Sequence, residues 1–174
     1  MEEGRQAPYL SLMTILSRRE WLGGAALAGV AALLASATGS AGAKPRFAFT
    51  LSDAEWKKRL SPAAYAVLRH EATERAGSSP LDREHRRGIF ACAGCGQPLF
   101  RSTAKFDSGT GWPSFFVPIK GAVGTSTDYK IGIPRTAVFC SRCGGHLGHV
   151  FDDGPPPTGK RYCMNGVALT FRSA

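Results

Sequence analysis

The sequence has few of the features that mark nucleic-acid-binding proteins. Its 22 Lys and Arg residues outnumber its 13 Asp and Glu residues, which gives a formal net charge of +9, yet no Lys/Arg-rich run with interleaved aromatic residues occurs. The densest basic patch, "REHRR" at 83–87, is interrupted by an acidic residue. We therefore interpret the positive charge as a solvated surface and expect no nucleic-acid partner.

Internal repeats are also lacking, apart from a doubled Cys-x-x-Cys pattern, and low-complexity sequence is limited to "PPP" at 155–157. At 174 residues, 43% of them hydrophobic, the chain has the size of one domain with an appendage and can bury a core. Nothing in the composition demands an oligomer, and we expect a monomer.

Long apolar stretches are scarce as well. The stretch at 21–37 has 17 residues, mostly Ala, Gly and Leu, so it is short for a membrane span and only mildly hydrophobic. It follows a twin arginine in "SRREWL" and leads to an A-x-A cleavage pattern at 41–43. The combination resembles a twin-arginine export signal, with Trp21 where phenylalanine is usual.

We expect residues 1–43 to be this export signal and residues 44–174 to be the mature domain, located in the periplasm. Met13 begins the conventionally short segment "MTILSRREWL", which indicates that Met13 is the true start. A membrane anchor that is not cleaved is the alternative.

Two short helices are expected to open the mature domain. Ser52 and Glu55 form a capping box for a helix over 53–60. Ser61 followed by proline predicts a second helix over 62–76. The segment "GSSPLD" then ends the helical pattern.

From residue 88 onward the sequence consists of short apolar or alternating runs separated by Gly, Pro, Asp and Ser. The runs are "GIFACAG", "PSFFVPI", "YKIGI", "TAVFC" and "GVALTF". Short strands at this spacing predict a mainly β domain with antiparallel pairing. We place Phe115 and Phe116 in its core.

Four of the five cysteines form two Cys-x-x-Cys pairs, Cys92/Cys95 and Cys140/Cys143, each followed by glycine. Two such turns can supply the four thiolates of a closed, structural zinc site. The 44 residues between the pairs imply that the metal joins two distant parts of the sheet. Disulfides are the alternative in an exported protein. A thioredoxin-like motif is disfavoured, because no βαβ pattern surrounds either pair.

Cys163 has no partner of this kind. On an extended strand its side chain shares a face with Arg161 and Asn165, and a nearby guanidinium lowers the pKa of a thiol toward the nucleophilic thiolate. Apolar cores rarely place Arg and Asn on both sides of a buried cysteine. We therefore expect a reactive thiol, with intermolecular pairing or a small buried side chain as the alternatives.

Further candidates for chemistry lie in two glycine-rich segments. "GGHLGHVFDDG" supplies His146 and His149, which together with a reactive cysteine make a nucleophile and proton-donor arrangement. Taken alone, either histidine would be structural. "FDSGTGWPSF" places Trp112 in a Gly-Pro loop, where we expect its ring to form the wall of a small pocket.

These motifs in this order resemble those of the B-type methionine sulfoxide reductases, which are specific for the R epimer at sulfur. The matching segments cover roughly residues 51–171 and are "WKKRLSPAAYAVLRHEATE", "CAGCGQPLF", "KFDSGTGWPSF" and "CSRCGGHLGHVFDDGPPPTGKRYCMN". The resemblance implies a mainly β fold of two small antiparallel sheets with short N-terminal helices. It also implies one structural zinc ion per chain, bound by Cys92, Cys95, Cys140 and Cys143.

In the mechanism that the resemblance implies, Cys163 is the nucleophile. Its thiolate attacks the sulfur of a methionine-R-sulfoxide, free or protein-bound, and becomes a sulfenic acid. One of the two histidines donates a proton to the departing oxygen, and Arg161 favours the thiolate. Trp112 holds the ε-methyl group, and Asn165 orients a network of histidines and water. No organic cofactor is needed.

Two positions depart from the family pattern. Thr110 stands where many relatives have the cysteine that resolves the sulfenic acid, so a thioredoxin-like protein or a small thiol must attack Cys163 directly. Gly166 follows Asn165 where serine is usual, which removes one hydroxyl donor. The first departure predicts a one-cysteine enzyme.

Two other functions compete with this one. A zinc-stabilised β binding module would hold an acidic partner through its +9 charge, but Trp112, the histidines and Cys163 would then have no reason to coexist. A Cys-His hydrolase needs an oxyanion hole, which the sequence does not reveal, and it consumes no thiol. Dependence on a thiol therefore separates a reductase from a hydrolase.

Overall fold

The computed structural model of the chain describes residues 47–174. The expected export signal at 1–43, with its cleavage point and its start at Met13, lies outside these residues. No helix within 47–174 is long and apolar enough to cross a membrane.

Two short helices open this part of the chain, α1 at Asp53–Arg59 and α2 at Pro62–His70. The capping box is confirmed: the Ser52 hydroxyl accepts a hydrogen bond from the Glu55 backbone N–H, and the Glu55 carboxylate accepts one from the Ser52 backbone N–H. Trp56 is the buried side chain of α1 and attaches this helix to the core.

The second helix is shorter than expected. The prediction that it extends to residue 76 is wrong, since α2 ends at His70 and Glu71 adopts a left-handed conformation with φ of 56°. The reason is tertiary, because the backbone N–H of Glu74 donates to the side chain of Asn165 and not to a helix carbonyl. Residues 71–79 therefore form a loop.

Nine strands occur in the described part of the chain and form two sheets, in which every pair is antiparallel. They are β1 Gly88–Cys92, β2 Pro98–Arg101, β3 Lys105–Phe106, β4 Ser114–Phe115, β5 Val123–Asp128, β6 Arg135–Cys140, β7 His146–Phe151, β8 Arg161–Met164 and β9 Leu169–Ser173. The smaller sheet has the order β2-β1-β9, and the larger sheet has the order β3-β4-β8-β7-β6-β5. The mainly β fold of two antiparallel sheets with short N-terminal helices is thus confirmed.

Aromatic side chains from both sheets meet in the core. Phe100 of the smaller sheet stacks on Phe115 of the larger sheet with ring centroids 4.2 Å apart, and Phe90 meets Phe115 edge-on at 4.9 Å. All three rings are fully buried, so this contact joins the two sheets. The expectation that Phe116 also lies in the core is wrong. It is half-buried and borders a surface cavity, because successive residues of an extended chain point to opposite faces.

The run "YKIGI" at 129–133 is a loop, contrary to the prediction of a strand. It connects β5 to β6, and the Gly132 N–H donates to the Tyr129 carbonyl over 2.9 Å to close a turn, with Gly132 at φ of 80°. The alternating pattern was misleading because Tyr129, Ile131 and Ile133 are exposed and pack on neither sheet.

Candidate active site

The two Cys-x-x-Cys pairs come together as expected. Their four Sγ atoms lie within 4.8 Å of one another, and all four cysteines are buried. The sulfurs of Cys92 and Cys143 are 3.7 Å apart and those of Cys95 and Cys140 are 3.5 Å apart, whereas a disulfide bond measures about 2.05 Å. The four residues therefore form a cluster that can hold a metal ion, and they do not form the alternative disulfides.

Three arginine side chains surround this cluster. They donate hydrogen bonds to backbone carbonyls of the cysteine turns: Arg59 to Gly94, Arg69 to Cys143 and Arg142 to Cys95. Each guanidinium also lies over an aromatic ring, that of Phe49 or Trp56. Positive charge around the cluster favours the anionic form of its sulfurs, so the surroundings suit a cation bound by thiolates.

A separate cavity of about 130 Å³ lies at strand β8. Four of the expected site residues line it: Trp112, His149, Cys163 and Asn165. The register of the larger sheet explains this grouping, because Cys163 on β8 lies opposite His149 on β7 and opposite Ser114 on β4. Two neighbouring strands thus hold Cys163 between them, half-buried at the cavity.

Two other expected residues, His146 and Arg161, do not line this cavity. His146 is 6% exposed, and its Nε2 atom is buried without a hydrogen-bond partner among residues 47–174. Burial, and next the neighbouring His149, lower the pKa of His146 to about 4, so this ring is neutral near pH 7. Arg161 donates two hydrogen bonds to Asp153 and lies over the ring of Phe151.

Burial dominates the state of the Cys163 thiol. It raises the pKa of Cys163 above the ordinary value, while the Thr110 hydroxyl and the Arg161 guanidinium act in the opposite direction. Arg161 thus acts in the direction of the thiolate, but its effect is smaller than that of burial. The net effect at Cys163 is a raised pKa, so burial favours the protonated thiol over the thiolate.

A chain of hydroxyl groups leads to Cys163. The Thr110 hydroxyl is 4.0 Å from the Cys163 sulfur, and the Ser108 hydroxyl is 2.8 Å from that of Thr110 and 2.7 Å from that of Ser114. Thr110 is therefore adjacent to the sulfur, as its place in the motif indicates. No second thiol of the described residues lies at this cavity, because the other four cysteines form the separate cluster.

The sequence did not point to Asp128, the last residue of β5. Its carboxylate accepts hydrogen bonds from His149 Nε2 over 2.7 Å and from Arg135 Nη2 over 2.5 Å. The backbone N–H of Lys130, followed by His149 and Arg135, holds the pKa of Asp128 well below its ordinary value. Because an ionised carboxylate only accepts hydrogen bonds, His149 carries a proton on Nε2, and its ring is held in one orientation.

Glu74, in the loop 71–79, lies within a segment that matched the family, but no pattern in the sequence gave it a role. Its backbone carbonyl accepts a hydrogen bond from the Trp112 indole N–H over 3.2 Å, and its backbone N–H donates to Asn165 Oδ1 over 2.9 Å. The Asn165 amide also donates to the Leu147 carbonyl over 3.0 Å. Backbone groups therefore hold both ends of the Asn165 side chain. Within residues 47–174 it makes no direct hydrogen bond with either histidine.

Thr73, Arg135 and Phe151 also line the cavity. Phe151 could have been found from the sequence, since it lies within the long segment that contains both histidines. Thr73 could have been found on the same ground, since it lies within the matching segment "WKKRLSPAAYAVLRHEATE". Arg135 lies in none of the matching segments, and only the fold brings it to the cavity.

Comparisons with known proteins agree with this arrangement. A family model described as the SelR domain matches residues 60–173 of the chain. A peptide methionine sulfoxide reductase MsrB from Agrobacterium fabrum is 51% identical over 121 residues, which cover 69% of this chain and 90% of that relative. Proteins of the same name from Thiobacillus denitrificans and Bradyrhizobium diazoefficiens are 54% and 55% identical, over 69% and 68% of this chain and 92% and 86% of their own lengths. The range 60–173 contains every strand described above, the four-cysteine cluster and the residues that line the cavity.

Proposed function

Because the chain belongs to the SelR family of peptide methionine sulfoxide reductases, we infer that it reduces methionine-R-sulfoxide to methionine and consumes a thiol reductant. One observation supports this activity above all: Cys163 lies in a small cavity that Trp112 and the Asp128-bound His149 also line. The cavity thus combines a nucleophile, an apolar wall and a carrier of protons.

Substrate binding follows from the size and lining of the cavity. Its volume of about 130 Å³ is below the ~300–1,000 Å³ of a typical cofactor or small-molecule site, so it accepts only the end of a side chain. The rings of Trp112 and Phe151 offer apolar surface to the ε-methyl group. His149 can donate a hydrogen bond to the sulfoxide oxygen once its second ring nitrogen has accepted the Cys163 proton. In the S epimer, the oxygen would face the aromatic rings and the methyl group would face His149. This mismatch accounts for the selectivity for the R epimer.

The reaction then transfers one oxygen atom from the substrate to Cys163. His149 accepts the thiol proton of Cys163 and passes it to the sulfoxide oxygen as the cysteine sulfur attacks the sulfoxide sulfur. The S–O bond of the substrate breaks and an S–O bond forms at Cys163, which becomes a sulfenic acid. The cysteine is oxidised by two electrons and the sulfoxide is reduced by two, so methionine leaves without any organic cofactor.

An external thiol completes the cycle, since Thr110 occupies the position of a resolving cysteine. The first thiol attacks the sulfenic acid of Cys163, releases water and leaves a mixed disulfide. A second thiol then frees Cys163 and departs as the oxidised reductant. A thioredoxin-like protein or a small thiol is the expected donor, and the substrate is methionine sulfoxide in an oxidised protein or as the free amino acid.

Zinc is the metal that fits the cysteine cluster best. Four sulfurs at about 2.3 Å from a tetrahedral zinc ion lie ~3.8 Å from one another, close to the 3.7 Å and 3.5 Å found here. One ion per chain, held by Cys92, Cys95, Cys140 and Cys143, would be structural, because four protein ligands leave no open position. The ion would join the end of β1 to the end of β6, two strands that are far apart in the sequence.

Export is a proposal from the sequence of residues 1–43. An N-terminus at Lys44 on protein recovered from the periplasm would support a cleaved twin-arginine signal, and N-terminal sequencing measures it. Retention of residues 21–37 in a membrane fraction would favour the anchor instead.

The activity is tested with the two epimers of dabsyl-methionine sulfoxide and dithiothreitol as the reductant. Zinc-replete protein should consume the R epimer only, and the Cys163→Ser variant should consume neither. A hydrolase would show no dependence on the thiol. Folded protein that consumes neither epimer would refute the reductase function and favour a binding module.

A further inference from the structure

We propose that Glu74 is a positioning residue of this active site: its carboxylate clamps the backbone that follows Cys163, and its own backbone then holds Trp112 and Asn165 at the cavity. The proposal rests on the proposed function, since it concerns the same cavity. Glu74 ends the family-like segment "WKKRLSPAAYAVLRHEATE" and lies in the middle of the loop 71–79, but no motif assigns it a role.

The carboxylate of Glu74 makes the first half of this link. Its Oε1 atom accepts a hydrogen bond from the backbone N–H of Gly166, and its Oε2 atom accepts one from that of Val167 over 3.0 Å. Gly166 is the third residue after Cys163, at the start of a 3₁₀ turn whose first N–H groups have no partner within the turn. One carboxylate thus satisfies two backbone donors and fixes the loop to the end of β8.

The backbone of Glu74 makes the second half. Its carbonyl accepts from the indole of Trp112 and its N–H donates to the side chain of Asn165, over the distances given above. Asn165 in turn donates to the Leu147 carbonyl of β7. The backbone of one residue, Glu74, therefore holds both Trp112 and Asn165, which line the cavity and lie 53 positions apart in the sequence.

Close packing at Gly166 supports the same conclusion independently. A Cβ atom at Gly166 would lie 1.9 Å from the Ser79 hydroxyl and 3.3 Å from the Glu74 carboxylate. In this chain, a side chain at Gly166 would therefore force Ser79 and the loop that carries it to move. The departure noted in the sequence is matched by a close contact with the loop that carries Glu74.

Loss of this clamp should change substrate binding and catalysis more than folding. In Glu74→Gln, an NH₂ group replaces one of the two carboxylate oxygens. The backbone N–H of Gly166 or of Val167 would then face another donor and lose its hydrogen bond, so the loop 71–79 would shift. Trp112 would then hold the methyl group less well, and Asn165 would no longer fix the backbone beside Cys163. Since a shift of ~1 Å can cost up to about 100-fold in rate, we expect a KM about tenfold higher and a kcat about tenfold lower.

The matched control is Glu71→Gln, which makes the same change of charge in the same loop. Glu71 pairs with Lys130 over 2.6 Å, and both side chains are more than half exposed. Its kinetic constants should stay within about twofold of the wild type, as expected for an exposed ion pair. Glu74→Asp, which keeps the carboxylate on a shorter side chain, should recover part of the activity and serves in place of glutamine if that variant does not fold.

The experiment uses the full zinc-replete chain and combines kinetics with NMR. The indole N–H resonance of Trp112, assigned with Trp112→Phe, should shift in Glu74→Gln and not in Glu71→Gln. In the Trp112→Phe background, Glu74→Gln should raise the KM less than in the wild type, because part of its effect runs through Trp112. An unshifted resonance, or the same kinetic constants in both glutamine variants, would overturn the proposal. If wild-type protein reduced neither epimer, the proposed function would fail, while the resonance would still decide whether Glu74 positions Trp112.

Discussion

Acid is expected to destabilise this fold through His146. Burial, and next the neighbouring His149, lower the pKa of His146 from the ordinary 6.5 to about 4. Glu71 and Asp128 oppose this shift, and Lys130 adds to it. Between these two pH values the unfolded chain binds a proton at His146 that the folded chain does not. The stability that neutral His146 contributes is therefore complete above pH 6.5 and is lost as the pH falls toward 4.

The expected loss is a substantial part of the free energy of unfolding of a typical domain. Each tenfold change in the protonation equilibrium is worth ~1.4 kcal/mol, so the full loss is about 3 kcal/mol, of which about 2 kcal/mol falls between pH 7 and pH 5. Typical domains are stable by only ~5–15 kcal/mol. A single buried histidine should thus account for much of the acid sensitivity.

Denaturant unfolding of the zinc-saturated protein at pH 7 and at pH 5 measures this contribution. From pH 7 to pH 5, the free energy of unfolding should fall by about 2 kcal/mol more in the wild type than in His146→Gln. The control His85→Gln removes an exposed histidine and should behave as the wild type does. Release of zinc, which acid promotes, is common to all three proteins and cancels in the comparison.

Equal losses in the wild type and in His146→Gln would refute the reasoning. That result would mean that His146 titrates normally in the folded protein. It would also restore His146 as a candidate proton donor, because such a residue carries an appreciable positive charge near neutral pH.

Three further outcomes follow from the site. Asp128→Asn should lower kcat by about 10- to 100-fold with a smaller change in KM, since His149 loses the carboxylate that orients it, and an unchanged kcat for the R epimer would contradict this role. Thr110→Cys places a thiol near the Cys163 sulfur, so one equivalent of sulfoxide without reductant should remove two titratable thiols per chain, against one in the wild type. Cys95→Ser should abolish stoichiometric zinc binding, measured by metal analysis, and lower the free energy of unfolding by several kcal/mol, measured with denaturant. Zinc retained by the variant would show that the cluster is not the metal site.

The sequence by itself determined the features that depend on neighbouring residues. The capping box at Ser52 and the two Cys-x-x-Cys turns are local structures, because residues a few positions apart supply the hydrogen bonds that close them. The long segment with both histidines and Cys163 identified the family because its residues match a motif in their order and spacing. The apolar run placed Phe115 correctly in the core but Phe116 wrongly, because the run alone does not say which of two successive rings faces inward.

Distant contacts decided other features against the local pattern. The helix α2 ends at His70 and not at 76, because the loop that follows uses its polar groups to bind the segment after Cys163. Asp128 and Glu74 belong to the site only because β5 and the loop 71–79 fold against it. No periodicity or spacing in the sequence records these contacts, since His149 lies 21 positions from Asp128 and the partners of Glu74 lie 38 to 93 positions from it.

The chemical state of the site was also decided by the tertiary structure. His146 and His149 are equivalent in the sequence, yet one ring is buried with an unpaired nitrogen while the other meets a carboxylate at the cavity. Arg161 lies two residues from Cys163, yet burial raises the pKa of that thiol more than the guanidinium lowers it. The sequence supplies the reactive groups, but which of them carries a proton depends on solvent exclusion and opposing charges, and these exist only once the chain has folded.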